Sequence, residues 1–519
     1  MPASSLCYNV GMDTKIIVGA ALAAGIAFGA FAERPWLVVN EDNDHYYKND
    51  ISLDKEFWKD RSNEALMTKE ALEAYADHYC ASGKVTHLFW CPQGQCPSYD
   101  SKVWEPIWWG LSDTNCCWKS VSPKNGDLGK PNNFAKNAKL LFDRGIDPYK
   151  VWIDRTRTHG VSPWISMRMN DSHWAWVKNH YRCTRFSHEH PELRIGRGDG
   201  TWDWAAMDYM FPEVREHHLK MFKELVDRYD ADGLEMDFLR ANAYFRPHET
   251  AKGKPLMTEF IRQCRAYANE KAKRTGKPYL LAMRCRAVPA DCRAAGFDLE
   301  TIVKEGLVDV IIPCLGMSFG DKVYAPPYAE WTALVKGAPK PIRVVCGATA
   351  FLGQEVHSPE TLKAWAQYMH SEGAHDLYLF NLEYNDPRTR YAVYREGIME
   401  EAKCGIGVRR FHFPNAPNWS MVIPQNRKFT FTMPANYVPG KKAETSVSLG
   451  DKCDFALVEA TRLKVNGEEV PVKPVRGMYG RPGGSIRADL LKVLKPGLNE
   501  FELITDVKDE CAINSITVE

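Results

Sequence analysis

Acidic, basic and imidazole side chains recur where the apolar runs of this chain end, and they are the groups that can do chemistry. The strongest grouping is Asp232-Gly233-Leu234-Glu235-Met236-Asp237-Phe238-Leu239-Arg240. Strand side chains alternate between faces, so Glu235 and Asp237 share one side while Leu234, Met236 and Phe238 take the other. Ionised carboxylates cannot be buried alone, so the pair requires cations, hydrogen-bond donors or a water-filled cavity. Other apolar runs end alike: Asp42 and Asp44 follow the first, His87 lies in the second, and Arg168, Asn170, Asp171 and His173 close the third. Arg284 and Arg286 end the fifth, and Asn381, Glu383 and Asn385 the last. Carboxylates and an imidazole exchange protons, and arginine forks hold planar anions bidentately. Together these groups suit hydrolysis of a substrate that carries a carboxylate or sulfate. Each has a blander reading too. Asp42 can cap a turn, His173 can be a surface imidazole, and Arg168 and Arg240 can simply neutralise Glu235 and Asp237.

Residues so far apart meet only if the fold gathers them. The runs 36–39, 85–90, 161–168, 232–240, 279–283, 308–313, 342–347 and 376–381 read as eight short buried strands. Helical patterns over 69–78, 148–159, 212–229, 256–274, 299–305, 328–335 and 359–372 separate most of them. Alternation of helices with unbroken apolar strands predicts a parallel sheet covered on its outside. Eight such units point to an α/β fold, a (β/α)8 TIM barrel over 33–405, whose carboxyl-end mouth collects the strand-end residues. A doubly wound open sheet is the alternative, but no G-x-G-x-x-G turn follows any strand. A long Cys-, Trp- and Pro-rich loop runs over 91–131, with Trp104, Trp108 and Trp109 in it. From 406 the pattern becomes period two, over 428–432, 445–449, 456–465 and 499–503, which predicts an antiparallel β-sandwich domain over 406–519.

Composition narrows the class. The 519 residues carry a net charge of +1, so nothing suggests a nucleic-acid partner. The 16 Trp and 22 Tyr offer flat, half-polar surfaces of the kind that line sugar sites, although packing must account for most of them. Lys15, the apolar run 16–31 and Ala30-Phe31-Ala32 read as a signal peptide over 1–32, which predicts a secreted or periplasmic protein. The run is short for a spanning helix, so no stable membrane insertion is expected. Export permits disulfides, and Cys91/Cys96, Cys116/Cys117 and Cys285/Cys292 are candidate staples among 15 cysteines. Zinc is not expected from their spacing, and neither a metal nor another cofactor is implied. A homodimer stays open.

The segment Ser166-Met167-Arg168-Met169-Asn170-Asp171-Ser172-His173, together with 232–240 and a carboxylate loop after the first strand, resembles bacterial glycosidase-like barrels. In particular it is similar to the inverting exo-sialidases of glycoside hydrolase family 156. The resemblance covers roughly residues 36 to 400 and implies a (β/α)8 barrel followed by a β-rich region. It implies an aspartate near the first strand and a histidine after the third as the catalytic pair, with arginines holding the sialic acid carboxylate. Carried onto this chain, the histidine falls on His173, the arginines on Arg168 and Arg240, and a late asparagine on Asn381. The aspartate falls on Asp42 or Asp44, with Asp42 favoured as nearer the strand end. The expected substrate is a sialoside or another acidic glycan; Asn170 and Asp44 are further substrate contacts, and Glu235 and Asp237 orient the arginines and meet substrate hydroxyls. Two other readings stay open: an ordinary glycosidase that uses Glu235 and Asp237 as its acid/base pair, and a non-catalytic carbohydrate-binding protein built on the same barrel.

Overall fold

Short runs of alternating inward and outward apolar side chains make a strand that can be buried on both faces, and eight of them close on one another. In the computed structural model the strands are β1 (Leu37–Glu41), β2 (His87–Trp90), β3 (Ser162–Arg168), β4 (Gly233–Asp237), β5 (Leu280–Arg286), β6 (Val310–Cys314), β7 in two pieces (Arg343–Val344 and Cys346–Thr349) and β8 (Leu377–Phe380). The structure describes residues 35–42, 44–48, 63–118, 133–196, 205–241, 243–314, 325–349 and 372–380, scattered positions in 351–370, and 409–410, 421–422, 426–433, 443–450, 453–476, 483–508 and 511–518. The expected signal segment 1–32, and Asn381, Glu383 and Asn385, lie outside the described residues, as does most of the helix expected over 359–372.

Every neighbour pairing in the barrel is parallel, and the order β5-β4-β3-β2-β1-β8-β7-β6 is closed by pairing of β5 with β6. One set of side chains fills the interior, including Val38, Phe89, Trp164, Ala282, Ile312, Val345 and Tyr378. The intervening set, including Val39, Leu88, Ile165, Leu234, Met283 and Leu379, packs outward under the helices. Gly233 is required at the start of β4, because a Cβ there would stand 2.6 Å from both the Leu280 carbonyl and the Trp164 ring.

The helices follow from their caps and apolar faces. α1 (Lys69–Cys80) starts on a Thr68 side chain that accepts from the Ala71 amide, which replaces one orphan contact of the first turn. α2 (Asn133–Asp143) buries Phe134, Ala135, Ala138 and Leu141. α3 (Pro148–Thr158) has proline in its first turn and Asp147 as its cap, and the same carboxylate binds Arg228 at 2.7 Å, tying α3 to α4 (Pro212–Arg228). α5 (Thr250–Thr275) ends at Gly276, whose φ of +68° gives the left-handed cap that glycine adopts without strain.

The expectations for the cysteines and for His87 are corrected. The cysteine sets Cys91/Cys96, Cys116/Cys117 and Cys285/Cys292 are unbridged thiols. Trp104, Trp108 and Trp109 of the long loop are buried in the main core, where the Trp104 indole donates to the His217 carbonyl and that of Trp109 to the Tyr181 carbonyl. His87 is the first residue of β2 and stacks on Trp36 at 3.7 Å, at the amino end of the barrel and away from the mouth. Beyond the barrel, Lys428–Met433, Arg462–Val465, Glu468–Val470 and Gly497–Ile504 form one antiparallel sheet, and Ala443–Ser448, Val472–Arg476, Gly484–Asp489 and Ala512–Val518 belong to another. Val447 and Ile486 of one sheet share a buried cluster with Leu463, Val465, Phe501 and Leu503 of the other, so the two pack face to face. Phe455–Ala460 is helical, not strand as expected, because Asp454 caps it by accepting from the Ala456 amide. Among the described residues no helix is long and apolar enough to cross a membrane.

Candidate active site

The register of the parallel strands decides which charges meet. Arg168, Asp237 and Arg284 stand side by side on β3, β4 and β5, with Ser166, Glu235 and Ala282 one level deeper. Two polar layers result. The inner layer is sealed: Glu235 is 0% exposed and accepts from Asn40 at 2.9 Å and from Ser166, while Asp237 is 1% exposed and pairs with Arg284 at 2.9 Å. Arg284 lies over the Phe380 ring at 3.9 Å from its centroid, a cation–π contact in a dry interior. Burial and then the neighbouring Asp237 charge push the Glu235 carboxyl up to about 7, against Arg284, Ser166 and Tyr378. The expectation that Glu235 and Asp237 orient Arg168 and Arg240 is therefore corrected. Asp237 holds Arg284, and Glu235 is held by neutral donors, because the pairing of β4 with β5 brings Arg284 level with Asp237.

The outer layer is built by the loops that follow β1 to β4. Arg168 bridges two carboxylates, donating to Asp171 at 2.6 Å and to Asp42. Asp171 in turn accepts from the His173 backbone amide at 2.8 Å and from His173 Nδ1. An ionised carboxylate only accepts, so Nδ1 carries the imidazole proton and Nε2 is left as an acceptor. Arg240 fills that place, with Nη2 2.5 Å from Nε2. The result is one connected chain, Asp42–Arg168–Asp171–His173–Arg240, drawn from three loops. Gln93 and Gln95 of the loop after β2 fasten it by donating to the Arg168 carbonyl at 3.0 Å and the His173 carbonyl at 3.2 Å.

Charge states follow from these contacts. Burial pushes the Asp42 carboxyl up, but the Arg168 guanidinium, with His45 and Arg240, outweighs it and holds the group below the usual carboxylate range. Asp171 lies well below that range, because the His173 imidazole and the Arg168 guanidinium overcome its burial. Burial, and then the Arg240 charge against Nε2, push His173 down to about 4, although 19% of its side chain still meets solvent. At neutral pH the imidazole is uncharged and Asp42 is ionised.

A small recess lies over this chain, and its lining includes Arg168, Asp171, His173, Arg182, Phe134 and Gln95. Arg182 has no strand end to mark it in the sequence and is brought in by the long loop after β3. It donates to Asp44 at 2.7 Å and to the Tyr181 hydroxyl at 3.1 Å. Asp44 is thus an anchor for Arg182. Asn170 is also an anchor: its amide nitrogen donates to the Met207 and Ala243 carbonyls at 2.8 and 3.0 Å, and its oxygen accepts from the Met207 amide at 3.0 Å. Both terminal nitrogens of Arg168 are taken by Asp42 and Asp171, and Arg182 is the other arginine that lines the recess.

Beneath Asp42, Glu41 accepts from the Tyr75 hydroxyl at 2.6 Å and from Tyr79, and lies 3.1 Å from His45 Nδ1. Asp42, Asp44 and His45 can each bring one ligand atom within 4.8 Å of the others, the spacing of a small cation site. Arg168 and Arg182 already neutralise the two carboxylates, so the donor set is matched to guanidinium groups.

No family model and no curated protein matches the chain. Among solved structures it is similar to α-L-fucosidase isoenzyme 1 from Paenibacillus thiaminolyticus, at 13% identity over 90% of this chain and 96% of that one, with a TM-score of 0.35. An endo-β-1,4-mannanase from Thermotoga petrophila gives 14% identity, 93% and 97% coverage and a TM-score of 0.39. A maltogenic α-amylase from Thermotoga neapolitana gives 12%, 93% and 99%, and 0.36. The closed strand pairing defines the chain as a (β/α)8 barrel with a C-terminal antiparallel β-sheet region.

Proposed function

We propose that the protein is an exo-acting glycoside hydrolase that releases a terminal acidic sugar, best a sialic acid, with inversion. The observation that carries the reading is the connected chain Asp42–Arg168–Asp171–His173–Arg240 beside one small recess at the carboxyl end of the barrel. The expected export of the chain agrees with an extracellular glycan as substrate.

The charge states support the following roles. Asp42, ionised and held by Arg168, accepts the proton of the attacking water. His173 is neutral while Arg240 occupies Nε2, so it begins as a poor acid. A substrate carboxylate competes for Arg240, and Arg240 leaving Nε2 both frees that nitrogen and removes a charge that suppresses protonation. His173 then takes up a proton and delivers it to the leaving oxygen, oriented by Asp171. A pair of carboxylates is the usual arrangement, and the imidazole here replaces one of them.

The test is a panel of aryl glycosides that differ only in the sugar. Turnover of the sialoside above the glucuronide, and of both above neutral sugars, is expected. Equal turnover of neutral sugars would reject the role of the arginines. One observation favours a second reading. Glu235, at about 7, has the proton affinity of a general acid, and Asp237 is its neighbour. Its full enclosure argues for a structural role, and Glu235→Gln separates the two readings.

A further inference from the structure

Three rings are piled on one another in the loop that carries His173. At the bottom is His180, fully buried and tied by its backbone to Cys117 in a parallel bridge. Trp174 stacks on it with ring centroids 4.8 Å apart and planes 12° from parallel. Trp176 stacks on Trp174 at 5.7 Å and 26°, and is 43% exposed. The sequence runs from buried ring to half-buried ring to open ring, so the outer indole has a fixed base. Its backbone is unusual as well. Trp174 has a φ of +62° and Asn179 of +56°, a conformation that a bulky residue such as tryptophan rarely adopts. Ala175 N to Ser172 O at 3.1 Å and Val177 N to Trp174 O at 2.8 Å hold that turn. The turn thus holds the exposed indole in place.

Position indicates what it recognises. Trp176 is three residues from His173, at most about 10 Å of extended chain, and the His173 side chain lines the recess. An exposed indole three residues along the chain from a residue of a charged recess would suit a glycan whose acidic end sugar enters the recess and whose next sugar is neutral. One face of a pyranose ring such as β-galactose presents only C–H bonds, and it lies well on an indole. We propose that Trp176, on its base of Trp174 and His180, is the subsite for the neutral sugar that follows the released one. This rests on the glycosidase reading for its place in the reaction, but not for its chemistry.

The test is titration of the whole protein with lactose, followed by calorimetry or by ligand-observed NMR. Lactose carries the neutral sugars alone, so its binding needs no turnover. Saturable binding is expected, weakened about 3- to 10-fold in Trp176→Ala, restored in Trp176→Phe and unchanged in Phe142→Ala, which removes another ring that is 43% exposed. Equal binding by wild type and Trp176→Ala, or no binding by wild type, overturns the subsite. So does loss in Trp176→Ala that Trp176→Phe fails to restore, because that result reports a disturbed loop. A protein that binds lactose as expected but cleaves no sialoside keeps this sugar site and loses the sialidase reading.

Discussion

Replacing Glu235 by glutamine separates a buried structural acid from a catalytic one. The carboxyl accepts from Asn40 and Ser166 and is fully enclosed, and a glutamine oxygen can accept the same two bonds. The folded group titrates at about 7 against an ordinary 4.5. Between those values the folded chain keeps the proton and the unfolded chain has lost it. The stabilisation is therefore complete below 4.5 and is lost as pH rises through 7. At about 1.4 kcal/mol for each tenfold change in proton affinity, it amounts to about 3 kcal/mol. His173 has the opposite sign: its folded value of about 4 lies below an ordinary 6.5, so its contribution is complete above 6.5 and is lost as pH falls toward 4. The two slopes partly cancel in the wild type, so the comparison with the variant isolates Glu235. Urea unfolding followed by tryptophan fluorescence at pH 5 and pH 8 is the assay. Glu235→Gln gains about 3 kcal/mol on the wild type between the two, and keeps its turnover. A stability difference independent of pH, joined to a loss of turnover by about 100-fold or more, would refute the reasoning and move the chemistry to Glu235 and Asp237.

Arg240→Gln removes a charge from His173 Nε2, so the imidazole titration followed by NMR moves up from about 4, while affinity for an acidic substrate falls; an unmoved titration contradicts the contact. Asp171→Asn can donate to Nδ1 and so favours the wrong tautomer, and kcat is expected to fall about 100- to 10,000-fold with the fold intact by circular dichroism. Arg168→Met leaves Asp42 and Asp171 buried without their shared cation, at a cost of about 3–5 kcal/mol in unfolding experiments, and activity is lost with it.

The barrel was legible because strands buried on both faces read as short apolar runs, and the fold gathers their polar ends whatever their distance in sequence. Asp42, Arg168, His173 and Arg240 are met at the mouth for that reason. Partner choice was not legible. Only the register of β4 against β5 sets Arg284 beside Asp237, and no local pattern in 232–240 reveals it. His87 was misplaced because β2 begins at that residue, which puts it at the floor of the barrel. Arg182 was missed because it follows no strand and arrives through a loop of some forty residues between β3 and α4, whose path is set by tertiary contacts such as the Trp109 indole on the Tyr181 carbonyl. Helix α2 went unread inside the insertion after β2, although Phe134, Ala135, Ala138 and Leu141 have helical spacing.

The most direct test is proton NMR of an α-linked sialoside incubated with the purified protein, with spectra taken before the free sugar can mutarotate. Release of sialic acid with the β-anomer appearing first is the predicted result. Release of the α-anomer first would contradict direct attack by water, and no release at all would contradict the proposed substrate.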